Sequence, residues 1–436
     1  MQLSRPSSSL NSLRRAEWFP RDPQAPPAST QSSAPPRIVV VSRGGTALPE
    51  PLGGADVYAL RQSMVLAESG AEVTLIAQGA LPSWGTPSTL TLHPVPTTRS
   101  YRSEQRLQYY GKALCLAIWT ALHAAAYLRR TQADVVHCHH SASVILLRLL
   151  AKRTTLVYTV HDQPYSPLDK GQPFINGAIR IFNNLVLEKL ASRLSDGIFA
   201  MSSPIKKVVR AWGVPETRCS LTPVITLDVP RPIEEEGKRN RSILPTYPFP
   251  YAISVGALTG RKRFDLLIRA LALTKPDRRL VIVGEGPLKK DLVQLSVALR
   301  VADRITWLDS VFGSEWSDLL HGAIFCVLVS EREGYPAILL EALREGTPAL
   351  YVSSRRLDGS IEGPFFSYLP SLNFTEIARC FDELWEHWSR NCDSRQQIQE
   401  WAKAFLPSSR SIARGMMDFY ASLIKIDAAK SGTQPG

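Results

Sequence analysis

Short, nearly uninterrupted apolar runs alternate with amphipathic stretches of helical period along this chain, and they do so twice, on either side of one charged, proline-bearing segment. A run such as Ile38 to Ser42 carries apolar side chains on both faces, so it must be covered from above and below. That is the situation of a strand inside a parallel sheet layered by helices. The alternation therefore predicts an α/β protein with two doubly wound parallel sheets.

In the first half, strands are expected at Ile38 to Ser42, Glu72 to Ala77, Val135 to His137, Leu156 to Val160, Gly197 to Ala200 and Cys219 to Thr222. Helices are expected at Ala55 to Ser69, Ala142 to Ala151, Ala178 to Leu194 and Pro204 to Trp212. The segment 229–250, with Glu234, Glu235 and Glu236 followed by Lys238 to Arg241, reads as a linker. The second half restarts at Tyr251 to Val255 and continues with strands at Leu280 to Gly284, Ile305 to Leu308, Ile324 to Val329 and Ala349 to Val352. Helices lie between them at Arg263 to Leu273, Pro287 to Leu299 and Pro336 to Glu345. The expected organisation is a leader over 1–36, domains over 37–228 and 251–405, a C-terminal helix over 406–428 packing back across the domains, and a tail over 429–436. Ligands of such sheets bind beyond the carboxyl ends of the strands, which points to the cleft between the halves.

Composition narrows the class. The leader holds seven prolines and eight serines and no apolar run of signal-peptide type, so it is expected to be disordered. The longest apolar stretch, Ala113 to Leu128, contains His123 and ends at Arg129, short of the roughly 20 residues that span a bilayer. Six cysteines without CxxC spacing favour reduced thiols and a cytoplasmic location. Lysine and arginine number 51 against 39 acids, a net +12, which points to phosphates, anionic lipid or nucleic acid as partners. No nucleic-acid recognition motif accompanies the charge.

Gly53 and Gly54 precede the first helix, where free N–H groups favour an anion. Without the full GxGxxG spacing, a plain glycine turn and a phosphate cradle are equally consistent with the pair. In the second half, Val255 to Arg263 runs from a strand end through Gly256 into Arg261, Lys262 and Arg263 at a helix start. Cations at the positive end of a helix are unfavourable unless an anion joins them, so this loop is read as a diphosphate site. Glu333, Gly334, Tyr335 and Pro336 follow the apolar strand Ile324 to Val329, and Glu341 stands on the helix after them. Two acids so placed can accept hydrogen bonds from different hydroxyls of one polyol, with N–H groups near Gly334 and Tyr335 as added donors. His161 and Asp162 follow Leu156 to Val160 at the cleft end of that strand. His137, Cys138, His139 and His140 alternate faces and do not converge on one ion, so no metal site is expected.

With these motifs the chain resembles the retaining glycosyltransferases of family 4, which have the GT-B fold of two facing Rossmann-like domains. The resemblance covers roughly residues 37 to 428. It rests on E-x7-E (Glu333, Glu341), V-G-x-L-x3-K (Val255, Gly256, Leu258, Lys262), G-x-G-P (Gly284, Gly286, Pro287), the Gly53–Gly54 loop, D-V-V-H-x-H (Asp134 to His139) and the pair His161, Asp162. It implies that Lys262 binds the donor diphosphate, that Glu333 contacts the transferred sugar and that Glu341 holds the ribose. It further implies that His161 lies near the reacting centre and that Gly54 lets the acceptor-side loop, with Gly53, His139 and Asp162, approach the phosphates. The implied donor is a nucleoside-diphosphate sugar, the implied acceptor a glycan or lipid-linked hydroxyl in polysaccharide or glycolipid synthesis, and no metal or other cofactor is implied. Ala257 stands where the family usually has arginine, with Arg261 or Arg263 as the candidate substitute, and the later G-G-x-x-E loop is reduced to Asp358 and Gly359. These departures keep open a second reading, a sugar-nucleotide or glycan binding protein with weak or lost turnover. A nicotinamide oxidoreductase finds little support in glycine-poor loops.

Residues 97–153 hold nine basic residues against two acids, a net +7, with Tyr101, Tyr109, Tyr110 and Trp119 among them. That mixture suits peripheral docking on an anionic membrane surface, at the inner face for a cytoplasmic protein, and is also what an ordinary basic helix face over a core looks like.

Overall fold

The computed structural model describes residues 34–42, 54–79, 86–96, 106–151, 154–161, 186–222, 225, 247, 249–309, 311, 314–331, 333, 336–355 and 363–431. These fall into two compact units: one formed between Asp228 and Pro407, the other by residues up to Leu227 together with those from Ser408 onward. Gly53, Asp162, Gly334 and Tyr335 lie outside the described residues, as do most of the leader and linker.

The N-terminal unit has seven parallel strands: β1 (Arg37–Val41), β2 (Glu72–Ala77), β3 (Leu90–Pro94), β4 (Val135–Cys138), β5 (Thr155–Val160), β6 (Gly197–Ala200) and β7 (Cys219–Leu221). Their order is β3-β2-β1-β4-β5-β6-β7. The helices are α1 (Gly54–Glu68), α2 (Arg106–Leu128), α3 (Ser141–Leu150), α4 (Glu188–Leu194) and α5 (Ser203–Ala211). Of the expected helix from Ala178, the structure describes only this last part. β4, β5 and β6 are buried at every position, which is why their sequences are apolar without alternation. β3 is an edge strand with mixed exposure, and its sequence LTLHP has no uniform run.

The C-terminal unit repeats the scheme with β8 (Ala252–Val255), β9 (Leu280–Val283), β10 (Ile305–Leu308), β11 (Cys326–Val329), β12 (Ala349–Val352) and β13 (Phe366–Leu369), ordered β10-β9-β8-β11-β12-β13. Around them lie α6 (Phe264–Leu271), α7 (Lys289–Ala298), α8 (Ser314–Gly322), α9 (Ala337–Arg344), α10 (Phe374–Arg390) and α11 (Arg395–Phe405). Phe325, Phe381 and Trp385 close the core between sheet and α10. In both sheets the order reverses at the first strand of the unit, a topological switch point where a ligand crevice opens at the strand carboxyl ends.

The last helix, α12 (Ser409–Ser431), belongs to the N-terminal unit, where it packs on α1 and β5. Gly197 makes this possible: a Cβ there would run into Leu423 and lie 3.1 Å from the Phe419 ring. The described thiols Cys115, Cys138, Cys219, Cys326 and Cys380 are free.

Candidate active site

In the C-terminal unit, three loops at strand carboxyl ends are tied into one floor. After β8 the chain turns at Gly256, whose N–H donates to Val283 O at 3.0 Å, and Leu258 N–H donates to Glu285 O at 2.8 Å. Gly284 and Gly286 are required by this approach. A Cβ at Gly284 would overlap the Gly256 carbonyl oxygen, and one at Gly286 would lie 2.5 Å from Leu258 O. From β11, Glu331 N–H (3.0 Å) and Ser330 Oγ (3.2 Å) both donate to Arg261 O, fixing the basic loop against the acidic one.

On this floor Lys262 Nζ lies 2.8 Å from Glu333 Oε1, and Arg261 Nη1 lies 3.5 Å from Glu333 Oε2. The Glu333 side chain is only 6 % exposed. Burial alone would raise its pKa, but the charges of Lys262 and Arg261 and the hydrogen bond from Lys262 override this and hold the carboxyl below its ordinary range. Oε1 is buried and is met at 2.8 Å by the Lys262 ammonium. Glu341, half-buried on α9, accepts at 2.9 Å from Trp316 Nε1 of α8.

The basic helix start differs from expectation. Gly260–Lys262 is a 3₁₀ turn, Arg263 sits at φ 41° in the left-handed region, and α6 begins only at Phe264. Arg263 reaches Asp265 through two hydrogen bonds of 3.0 Å and Glu331 at 3.5 Å. Local acids thus answer the charge of Arg263 without an external anion, while Arg261 and Lys262 converge on Glu333. The acid two residues after Arg263 was a visible signal. The roles of Ser330 and Trp316 had none, because their partners are 69 and 25 residues away.

In the N-terminal unit the carboxyl ends of β1, β4 and β5 gather another polar cluster. Ser42 Oγ donates to Asp56 Oδ1 of α1 at 2.8 Å, and His140 Nε2 lies 3.2 Å from the same oxygen. His139 is buried, stacks on His137 with ring centroids 4.9 Å apart, and its Nδ1 lies 2.9 Å from His161 Nε2. Tyr58 of α1 packs edge-on against His161, and its hydroxyl meets Thr222 Oγ1 at 2.9 Å. His137 is enclosed by Gln62, Thr159 and Tyr420 of α12, each at 2.6 Å. Burial, with the nearby His161, pushes the His137 pKa down to about 3, and burial with its histidine neighbours drives His139 well below the usual range. Gly54 opens α1 beside this cluster. Among the described residues no group of three or more His, Cys, Asp or Glu side chains is arranged to hold a metal ion.

Two parallel sheets of Rossmann order, each with its polar residues at the strand carboxyl ends, define the GT-B class. Solved structures bear this out. Sucrose-phosphate synthase from Thermosynechococcus elongatus superposes with a TM-score of 0.65 at 19 % identity, over 90 % of this chain and 100 % of that one. Anabaena HepE in complex with UDP-glucose does so with 0.63 at 16 % identity, over 88 % and 99 %. Residues 52–223 match the model described as Glycosyltransferase Family 4 and residues 238–360 that of Glycosyl transferases group 1. The chain belongs to the family 4 type of GT-B glycosyltransferases, and it is an enzyme of that class. Among curated relatives it is similar to N-acetyl-alpha-D-glucosaminyl L-malate synthase of Bacillus anthracis, 25 % identical over 312 residues, 69 % of this chain and 75 % of that protein.

Proposed function

We propose that this glycosyltransferase moves a sugar from a nucleoside-diphosphate donor to a hydroxyl of a glycan or lipid-linked acceptor, with retention of anomeric configuration, in polysaccharide or glycolipid synthesis. The carrying observation is the buried Glu333 carboxylate, held ionised by Lys262 and Arg261 on a floor that only glycine permits. In this reading Lys262 and Arg261 face the diphosphate, with Gly256, Gly286, Gly334 and Tyr335 providing close backbone approach and Arg263 bracing the loop. Glu333 accepts from sugar hydroxyls, and Glu341, aimed by Trp316, takes the ribose. The UDP-glucose in the HepE complex supports a nucleotide sugar as the ligand class.

In the reaction the bond from the anomeric carbon to the diphosphate oxygen breaks. A bond to the acceptor oxygen forms on the same face, and the acceptor proton passes to the departing phosphate. Negative charge grows on the leaving group, so fixed cations stabilise the transition state more than the ground state. The reading assigns that work to Lys262 and Arg261 and needs no metal. On the acceptor side it places His161, supported by His139, with Asp162, Gly53 and Gly54. It locates the enzyme in the cytoplasm, peripheral at the inner face of the membrane; no helix among the described residues is long and apolar enough to cross one.

Incubation with a panel of nucleotide sugars and a membrane extract tests the proposal, reading released nucleoside diphosphate and the anomeric proton coupling of the product. Release with an unchanged anomeric configuration is expected, and inversion would overturn the mechanism.

A further inference from the structure

We infer that the outer face of α2, continued by α3 and α4, is the surface by which this protein lies on an anionic lipid bilayer. The inference deepens the membrane location proposed above and rests on it.

A helix on the surface of a globular domain normally turns a polar face to water, and one that is apolar all round is covered by something. α2 buries Leu116, Ala117, Ala121 and Ala124 against its own unit. Its opposite side carries Leu114, Ile118 and Leu122 at helical spacing, with Trp119 beside them, each 38 to 43 % exposed. From Leu114 to Leu128 the helix has no charged residue, and from Arg106 onward it has no acid. α3 packs on α2 and α4 on α3. Of the twelve large hydrophobic residues exposed among the described residues, eight lie on these three helices or in the turn leading into α4. Scattered single exposures need no explanation, but a concentration on one set of neighbouring helices marks an interaction surface.

Charge selects the occupant. By sequence the segment 97–153 that contains α2 and α3 carries +7; of its cations the structure places Arg129 and Arg130 exposed at the end of α2 and Arg148 in an ion pair with Asp196. A second copy applied to this face would bring like charges together, whereas an anionic bilayer complements them while accepting the Leu, Ile and Trp side chains into its interface. Since α2 is not a spanning helix, it lies in the plane of the surface.

The test is sedimentation of the full chain with vesicles of phosphatidylcholine alone or with about 30 % phosphatidylglycerol, at low and high salt. Binding at least about tenfold stronger to the anionic vesicles, weakened by salt, is expected. Ile118→Ser/Leu122→Ser should lose most of it with unchanged circular dichroism and thermal midpoint, and Arg129→Glu/Arg130→Glu should lose the anionic preference. Equal partition into both vesicles, or undiminished binding by the Ser variant, would overturn the inference. So would a dimer in vesicle-free solution that the Ser variant abolishes. Nucleotide-sugar stabilisation measured without vesicles reports on the transfer reading separately, so either can fail alone.

Discussion

Lys262 and Glu333 form a nearly buried ion pair, Nζ to Oε1 2.8 Å, between the loop after β8 and the loop after β11. Each partner solves the other's burial problem, and together they put a fixed positive charge beside an ionised acceptor. Removing one member leaves the other charge buried and uncompensated, at about 3 kcal/mol or more. Lys262→Ala should therefore destabilise the C-terminal unit, and Lys262→Ala/Glu333→Gln should recover part of that loss in denaturant titration. Neither variant should regain activity. Loss of about a hundredfold or more in kcat/KM is expected for both, the usual scale for a group that stabilises developing charge. Full activity in the double variant would refute the donor role.

The glycines of the same floor divide sharply. Gly284→Ala forces a methyl group onto the Gly256 carbonyl and should cost a few degrees or more in thermal midpoint, together with donor affinity. Gly260→Ala meets nothing within 4 Å and should leave the midpoint unchanged. A scan of both variants checks the packing, and equal effects would contradict it.

Acid should loosen the N-terminal unit. His137 and His139 are buried neutral, with folded pKa values below the ordinary 6.5, about 3 for His137. Below about pH 6.5 the unfolded chain takes up protons that the folded one refuses. Stability from these groups is thus full above that pH and is lost as pH falls toward about 3, at roughly 1.4 kcal/mol per pH unit for each. His137→Gln should flatten this slope in chemical denaturation between about pH 6 and pH 4; an unchanged slope would show that other groups dominate.

Much of the architecture was legible because strands such as β4, β5 and β11 are buried at every position and so announce themselves as apolar runs. The edge strands β3 and β13 face mixed surroundings and left no such run. At the candidate site, the loops that bring Lys262 and Glu333 together could be anticipated because each follows a buried strand, while the roles proposed for Lys262, Glu333 and Glu341 came from the family resemblance. The enclosure of His137 could not, because it depends on Tyr420, 283 residues further along the chain. Nor could the convergence of Arg261 and Lys262 on Glu333, or of Glu331 on Arg263, which depends on the loops after β8 and β11 meeting; only Asp265, two residues after Arg263, was a local signal.

His139 is expected to act through His161. Its Nδ1 lies 2.9 Å from His161 Nε2, while its own Nε2 is buried and has no hydrogen-bond partner among the described residues, so it serves as a one-sided support. Under the proposed reading, His139→Leu should lower kcat by about tenfold or more through loss of that orientation, with donor KM little changed. Asn at this position can still reach His161 and should restore part of the rate. A KM effect without a kcat effect would place His139 outside the reacting centre.

Since cations of the chain itself carry the leaving group in this account, excess EDTA should leave turnover unchanged. Loss on chelation with recovery on adding a divalent ion would require a different electrophile.

Whether Lys262, Glu333 and Glu341 hold a nucleotide sugar is decided by thermal shift of the wild type, Lys262→Ala and Glu341→Ala with UDP, GDP, ADP and dTDP and their common sugars. One nucleotide sugar should raise the wild-type midpoint by several degrees, and both variants should lose the response. Stabilisation by none of them, or a full response in both variants, would contradict that role.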